Sequence, residues 1–230
     1  MHELRLAKVG RRQYQRSRRN ASNIVAVKET ARVEAFSDGV FAIAITLLVL
    51  DLKVPSEQPL ATGLLAQWPV YVAYLISFAF ILIMWVNHHW MFQHIARIDS
   101  PFMMLNGLLL LGVSVVPFPT NLVAQYVLTD DQRLAASVYS GWFFLIAICF
   151  NLLWGYASSN GRLLSAHDHD AGLAQVISAR YRWGPILYFV AFALALVSAP
   201  ASLALNLLLA IYFALPRETR ILSKLPGRRA

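Results

Sequence analysis

The sequence predicts an all-α integral membrane protein with six transmembrane helices. Three observations lead to this fold class: the composition is strongly apolar, the charges are confined to short stretches, and the long segments between them carry no charge. Of the 230 residues, 58% are hydrophobic and only 14% are charged, whereas soluble domains carry about 25% charged residues. Lipid is the solvent that fits this composition. The single cysteine, Cys149, excludes a disulfide framework.

Four charge-free runs define most of the predicted spans. The last run has 34 residues. As one helix it would be about 50 Å long, which exceeds the hydrocarbon core of about 30 Å. Because the sequence Ser198-Ala199-Pro200 favours a turn in its middle, we expect two short helices there, Trp183–Ser198 and Ala201–Leu215. The four runs are Gln67–Asn87, Pro101–Thr129, Leu134–Ser159 and Trp183–Pro216.

The first span differs from the others because its ends are charged. Its apolar core, Gly39–Leu50, has only 12 residues and lies between Asp38 and Asp51. It can cross a membrane only if the helix extends to about Val33–Lys53. A basic flank before a short apolar core also fits a cleaved signal peptide, but no small-residue cleavage site follows promptly. We therefore expect a mature span, and ionisable residues kept at lipid depth usually have a function.

Basic residues set the predicted orientation. The first 32 residues contain nine Lys or Arg, and the tail after Pro216 contains five. With the N-terminus inside, 18 of the 20 basic residues are cytoplasmic, and only Lys53 and Arg133 lie outside. We predict a multi-pass plasma-membrane protein with a basic cytoplasmic arm (1–31), a six-helix transmembrane domain (32–216) and a basic cytoplasmic tail (217–230). The net charge of +8 is expected to attract anionic lipids at both termini and not nucleic acid.

The first helix has two different faces. Ile43, Leu47 and Leu50 recur at i, i+4 and i+7, so they form one apolar stripe, with Thr46 beside it. Asp38 lies five residues before Ile43, which places it about 140° away around the helix. The stripe is therefore expected on one side, and the carboxylate is expected to point to the rest of the bundle.

A second set of polar residues is predicted at the cytoplasmic end of the first three spans. Buried polar groups must find hydrogen-bond partners, and the counting of spans brings these residues to one depth. We interpret the set as a structural clamp that fixes the angle of the first helix. Its members are Arg32, Ser37 and Asp38 with Trp85, His88, His89 and Asn106, and Phe36 belongs to the same sequence motif as the first three.

One segment carries a family resemblance. The sequence Arg32-Val33-Glu34-Ala35-Phe36-Ser37-Asp38-Gly39 resembles the Arg-x-x-x-Phe-Ser-Asp signature of the transmembrane protein 175 family. That family comprises potassium channels, with two six-helix repeats per chain in animals and one in prokaryotes; this chain is similar to the prokaryotic kind. The resemblance implies a homotetramer whose first helices line a central pore, with no re-entrant pore loop.

The resemblance also implies roles for the stripe. Ile43, Leu47 and Leu50 would form a hydrophobic constriction, and Thr46 would add a ring of hydroxyls that contributes to potassium selectivity. Animal members have a serine just before the first constriction isoleucine, where this chain has Ala42. The sequence contains no Thr-Val-Gly-Tyr-Gly filter, so selectivity is expected from constriction size and a few oxygen ligands.

The sequence gives less support to other functions. A secondary transporter stays open as the alternative; it predicts interrupted helices at matched positions, and Pro117 and Pro200 are the one such pair. We expect no enzymatic activity, since no nucleophile has an adjacent base, and no cofactor beyond potassium as the permeant ion. His167-Asp168-His169-Asp170 has metal-ligand chemistry, but we interpret it as a solvated loop. The sequence Pro117-Phe118-Pro119 is expected to end or kink the third span.

Overall fold

A computed structural model describes residues 29–56, 58–159, 163–164, 178 and 181–214. Most of the predicted N-terminal arm, the C-terminal tail and the sequence His167–Asp170 lie outside the described residues. The described residues are helical apart from connections and one isolated bridge between Ile95 and Leu164. The helices are α1 (Glu29–Asp51, with a 3-10 last turn Leu48–Asp51), α2 (Leu60–Ala66), α3 (Trp68–Gln93), α4 (Ser100–Ser114), α5 (Pro117–Tyr126), α6 (Gln132–Ser158), α7 (Gly184–Ala195) and α8 (Ala199–Ala214).

Among the residues that the structure describes, four helical segments are long and apolar enough to cross a membrane. The helices α7 and α8, with 12 and 16 residues, are apolar but shorter than the roughly 20 residues that a bilayer core requires. The predicted all-α membrane fold is confirmed, and the count of six complete spans stays a prediction. The four long segments are Glu29–Asp51, Trp68–Gln93, Ser100–Tyr126 and Gln132–Ser158.

Both predicted helix breaks are present. The third span is divided into α4 and α5, and Pro117 is the first residue of α5. The last apolar run is divided between Ala195 and Ala199, and Pro200 is the second residue of α8. Each proline begins a helix because its missing N–H is not needed in the first turn. The second break therefore starts about three residues before the predicted end at Ser198.

The centre of the bundle is α6, which packs against α4, α5, α7 and α8. Half of its most apolar window is buried, compared with 22% for α1. Aromatic rings fill the space between α3 and α6, where Phe80 and Phe143 stack with centroids 4.2 Å apart. The helix α1 is thus attached to the side of the bundle, and the chain covers only part of its surface.

Two buried polar clusters join the helices around α6. Ser77 of α3, Thr120 of α5 and Tyr139 of α6 are linked by hydrogen bonds of 2.8 and 3.1 Å. On the next residue of α6, Ser140 contacts Ser202 and accepts a hydrogen bond from Asn206 of α8, both at 2.8 Å. Interhelical hydrogen bonds of this kind stabilise helix pairs in lipid, where burial of apolar side chains supplies little association energy.

Candidate functional site

The apolar stripe on α1 is exposed. In the single chain, Ile43 is 62% exposed, Leu47 41% and Leu50 68%. Thr46 is also exposed. Apolar side chains at i, i+4 and i+7 normally face the protein interior, so an uncovered stripe indicates a surface that another molecule, lipid or a pore can meet. The structure brings all four predicted stripe residues to this one face.

The Thr46 hydroxyl has a defined orientation. Its Oγ1 donates a hydrogen bond to the carbonyl oxygen of Ile43 at 2.9 Å. The hydroxyl proton is thereby directed back to the helix, and the oxygen lone pairs remain available. An exposed oxygen with free lone pairs is a group that can accept a hydrogen bond from water or coordinate a cation.

The opposite face of α1 is buried. Phe41, Ala44 and Leu48 are each no more than 2% exposed and belong to the main hydrophobic core. Their positions repeat with the same helical periodicity as the stripe, about half a turn away around the helix. This face fixes α1 against the bundle, so the exposed stripe has a fixed direction.

A polar network lies on the same buried side of α1. It is near the end of the helix that the sequence predicts to be cytoplasmic. The indole Nε1–H of Trp85 donates to Asp38 Oδ1 at 2.8 Å. Asn106 Nδ2 donates to Ser37 Oγ at 3.0 Å, and Asn106 Oδ1 is 2.9 Å from His88 Nε2. Because Asn106 Oδ1 can only accept, the contact assigns a proton to His88 Nε2. Two helices, α3 and α4, are tied to α1 in this way.

A carboxylate–histidine pair extends the network: the predicted member His89 is joined by Glu34, which the sequence did not predict as a member. Glu34 Oε1 accepts from His89 Nδ1 at 2.8 Å, and Gln93 Nε2 lies 3.0 Å from His89 Nε2. The signal was present: Glu34 precedes Asp38 by four residues, and His89 follows Trp85 by four. Two i, i+4 pairs on facing helices make two parallel contacts.

Arg32 lies on the exposed face of α1 and not in the network, and the motif residue Phe36 lies on the same face. Both are exposed, and neither joins the hydrogen bonds of the network among the described residues. The helical period explains the difference: Arg32 is eleven residues before Ile43 and Phe36 seven, so each lies within about 20° of the stripe. The two residues extend the exposed face of α1 toward the N-terminal end of the helix.

The C-terminal end of α1 carries a second carboxylate contact. Asn121 Nδ2 of α5 donates to Asp51 Oδ1 at 2.6 Å, and Gln125 Nε2 donates to Asn121 Oδ1 at 2.5 Å. Asp51 immediately follows Leu50, the last residue of the stripe. Within the part of the chain that the structure describes, no group of three or more His, Cys, Asp or Glu residues could hold a metal ion.

Comparison with known proteins identifies the family of this chain. A family model described as endosomal/lysosomal potassium channel TMEM175 matches residues 32–117. A potassium channel of Chamaesiphon minutus is 54% identical over 192 residues, which cover 81% of this chain and 94% of that protein. The chain belongs to the TMEM175 family.

Other TMEM175 relatives support the fold. The crystal structure of a lysosomal potassium-selective channel TMEM175 homologue from Chamaesiphon minutus matches with a TM-score of 0.75 at 51% identity, covering 81% of this chain and 97% of that one. A potassium channel of Streptomyces collinus is 47% identical over 191 residues, covering 81% of this chain and 92% of that protein. The predicted family and the multi-pass helical membrane fold are confirmed.

Proposed function

We propose that this TMEM175-family chain assembles into a homotetrameric, potassium-selective channel whose pore is lined by the exposed face of α1. The observation that carries the proposal is the contrast on α1: Ile43, Leu47 and Leu50 are exposed in the single chain, while the opposite face is locked into the bundle. Around a fourfold axis, each stripe residue becomes a ring. Relatives of this chain are named potassium channels.

The stripe has the length of a constriction. Seven residue steps separate Ile43 from Leu50, which is about 10 Å of helical rise. Stacked apolar rings of this kind gate by dewetting, and selectivity comes from constriction size and a few oxygen ligands. Thr46, whose lone pairs are free, supplies one such oxygen per chain. No pore-loop filter takes part in this mechanism.

The network behind α1 is proposed as an assembly element. Asp38, Ser37 and Glu34 contact α3 and α4 and do not belong to the stripe. They fix the rotation of α1 about its own axis, and thereby the direction of Ile43 and Leu47. In this proposal they set the pore geometry without meeting the ion.

The proposed orientation places both termini in the cytoplasm of a plasma-membrane protein. Eighteen of the 20 basic residues lie on that side, which follows the positive-inside rule, and the basic termini are proposed to contact anionic lipids. A C-terminal tag that is labelled from outside intact cells would contradict this orientation.

The function is tested with purified protein in planar bilayers. Under bi-ionic conditions with potassium on one side and sodium on the other, we expect unitary current steps and a reversal potential displaced toward the potassium equilibrium potential. A secondary transporter is the alternative, since two helices are interrupted and the helix after each break, α5 or α8, begins with a proline-containing turn. It predicts coupled flux without unitary steps, and that result would overturn the channel proposal.

A further inference from the structure

The outer end of α1 presents a carboxylate that helix stability does not explain. Asp51 is the last residue of the 3-10 turn that closes α1. The C-terminal end of a helix carries the negative end of the macrodipole, so a carboxylate there is unfavourable by about 0.3–1 kcal/mol. Among the described residues, no basic side chain forms an ion pair with Asp51. Its charge is therefore not neutralised by the part of the chain that the structure describes.

The position of this carboxylate is nevertheless fixed by hydrogen bonds. Asn121 Nδ2 donates to Asp51 Oδ1 at 2.6 Å, and Gln125 in turn donates to Asn121 Oδ1 at 2.5 Å. Asn121 and Gln125 are one turn apart on α5, so the two amides form a chain that ends at the carboxylate. One carboxylate oxygen is held, and the other is not used by any described hydrogen bond.

The surroundings are polar where a lipid-facing surface would be apolar. Gln125 is exposed, and Asp51 and Asn121 are partly exposed, although all three lie at the ends of membrane-spanning segments. Ionisable and amide side chains on such segments normally face water or protein and not acyl chains. The three residues therefore border water at this end of the spans, and Asp51 is one residue from Leu50, the outermost member of the stripe.

We infer that Asp51 is the residue that concentrates potassium at the outer mouth of the pore. The inference rests on the proposed function, because only fourfold assembly brings four Asp51 carboxylates around one axis. Rings of Asp or Glu attract cations in cation-selective pores, and a water-filled mouth of one charge sign raises the local counter-ion concentration. Asn121 acts as a positioning residue that holds one carboxylate oxygen on the α5 side of α1, one residue from the stripe.

Asp51→Asn is the first test, because it removes the charge and keeps an oxygen that can accept from Asn121. The measurement is single-channel conductance of the tetramer in symmetric potassium. At about 10 mM salt, where the Debye length is about 30 Å, we expect inward conductance to fall by about threefold or more. At about 1 M salt, where it is about 3 Å, parent and variant should be equal. Outward conductance should change less, because ions then enter from the other side.

Two controls separate this role from others. Asp130→Asn removes the same charge from an exposed position on the same side, in the α5–α6 connection, and should lower the inward conductance at low salt less than Asp51→Asn does. Asn121→Ala removes the hydrogen bond and keeps the Asp51 charge, so it should lower inward conductance less than Asp51→Asn does. Equal losses in Asn121→Ala and Asp51→Asn, unaffected by salt, would show that Asp51 only anchors α1 to α5.

A chemical variant covers the case in which Asp51→Asn does not assemble. In a Cys149→Ser background, Asp51→Cys channels are treated in the bilayer with a thiol reagent that adds a negative group or one that adds a positive group. The negative group should raise the inward conductance at low salt and the positive group should lower it. If conducting potassium channels show no change with either charge, the inference is wrong while the proposed function stands. A parent chain without potassium current rejects the proposed function itself.

Discussion

The two faces of α1 differ strongly in exposure. Leu47 and Leu48 are adjacent, yet Leu47 is 41% exposed and Leu48 is 1% exposed. The buried face is completed by α3 and α4 within the chain, and the stripe face has no such cover. One face of the helix is thus part of the fold of the single chain, whereas the other is exposed in the single chain.

The polar residues follow the same division. Glu34, Ser37 and Asp38 lie on the buried side and are held by hydrogen bonds of 2.8–3.0 Å. Thr46 lies on the exposed side and bonds only to its own helix. The buried polar groups therefore determine how α1 is rotated, and the exposed hydroxyl is available to water or ions. Substitutions on the two sides are expected to affect different measurements.

The largest expected effect comes from truncating the buried leucine. Leu48→Ala opens a cavity in the core, and such changes cost about 2–5 kcal/mol. We expect a lower melting temperature and less assembled protein. Leu47→Ala makes the same chemical change on the stripe and is expected to alter stability by less than about 1 kcal/mol while it raises the conductance. Equal destabilisation of the two variants, measured by thermal unfolding in detergent, would contradict the division of faces.

The constriction variants extend this comparison along the stripe. Ile43→Asn and Leu50→Ala should ease water entry and raise single-channel conductance, because a wider or more polar ring dewets less readily. Their selectivity for potassium is expected to fall at the same time. Unchanged currents in both variants and in Leu47→Ala would place the pore elsewhere.

A smaller effect is expected at the hydrogen bond between Asp38 and Trp85. Loss of one partner in a buried network costs about 1–3 kcal/mol, so Asp38→Ala should reduce tetramer yield and thermal stability. Asp38→Asn keeps the acceptor oxygen and should lie between Asp38→Ala and the parent. Trp85→Phe removes the same bond from the other side, and in a double-mutant cycle with Asp38→Ala the two losses should not add.

Channels that do assemble with Asp38→Asn should keep the parent's potassium-to-sodium permeability ratio, because the stripe is unchanged. Intact tetramers with altered selectivity would place Asp38 on the ion path. The buried face would then be part of the pore.

The smallest expected effect is at Thr46. Thr46→Val keeps the shape and removes the oxygen, so a partial substitute for the ion's hydration shell is lost. We expect the potassium-to-sodium permeability ratio to fall by less than tenfold, which corresponds to under about 1.4 kcal/mol, with stability unchanged. An identical reversal potential in Thr46→Val and the parent counts against a role for the hydroxyl.

The sequence predicts which side chains share each face of α1, because helical periodicity is a local property. The positions of Ile43, Leu47 and Asp38 follow from about 100° per residue, and the depth of Trp85 follows from counting spans. The same arithmetic places Arg32 beside the stripe, and in the structure Arg32 is exposed there. Depth and angle along one helix are therefore recoverable from the sequence.

Contacts between helices are harder to predict from the sequence. The pair of Asp51 and Asn121 depends on the direction that α5 takes after the break at Pro117, and no sequence period encodes that angle. The pair of Glu34 and His89 depends on the relative rotation of α1 and α3. Tertiary packing fixes both, so these partners became visible only in the structure.

The most direct test of the central claim is thiol accessibility of α1 in conducting channels. In a Cys149→Ser background, cysteine is placed at Leu47 or at Leu48, and potassium current is recorded while silver ions, which are small thiol-reactive cations, are applied. We predict that Leu47→Cys channels are blocked and that Leu48→Cys channels keep their current, because only the first side chain meets the pore. Block of Leu48→Cys with no effect on Leu47→Cys would show that the stripe does not line the ion path.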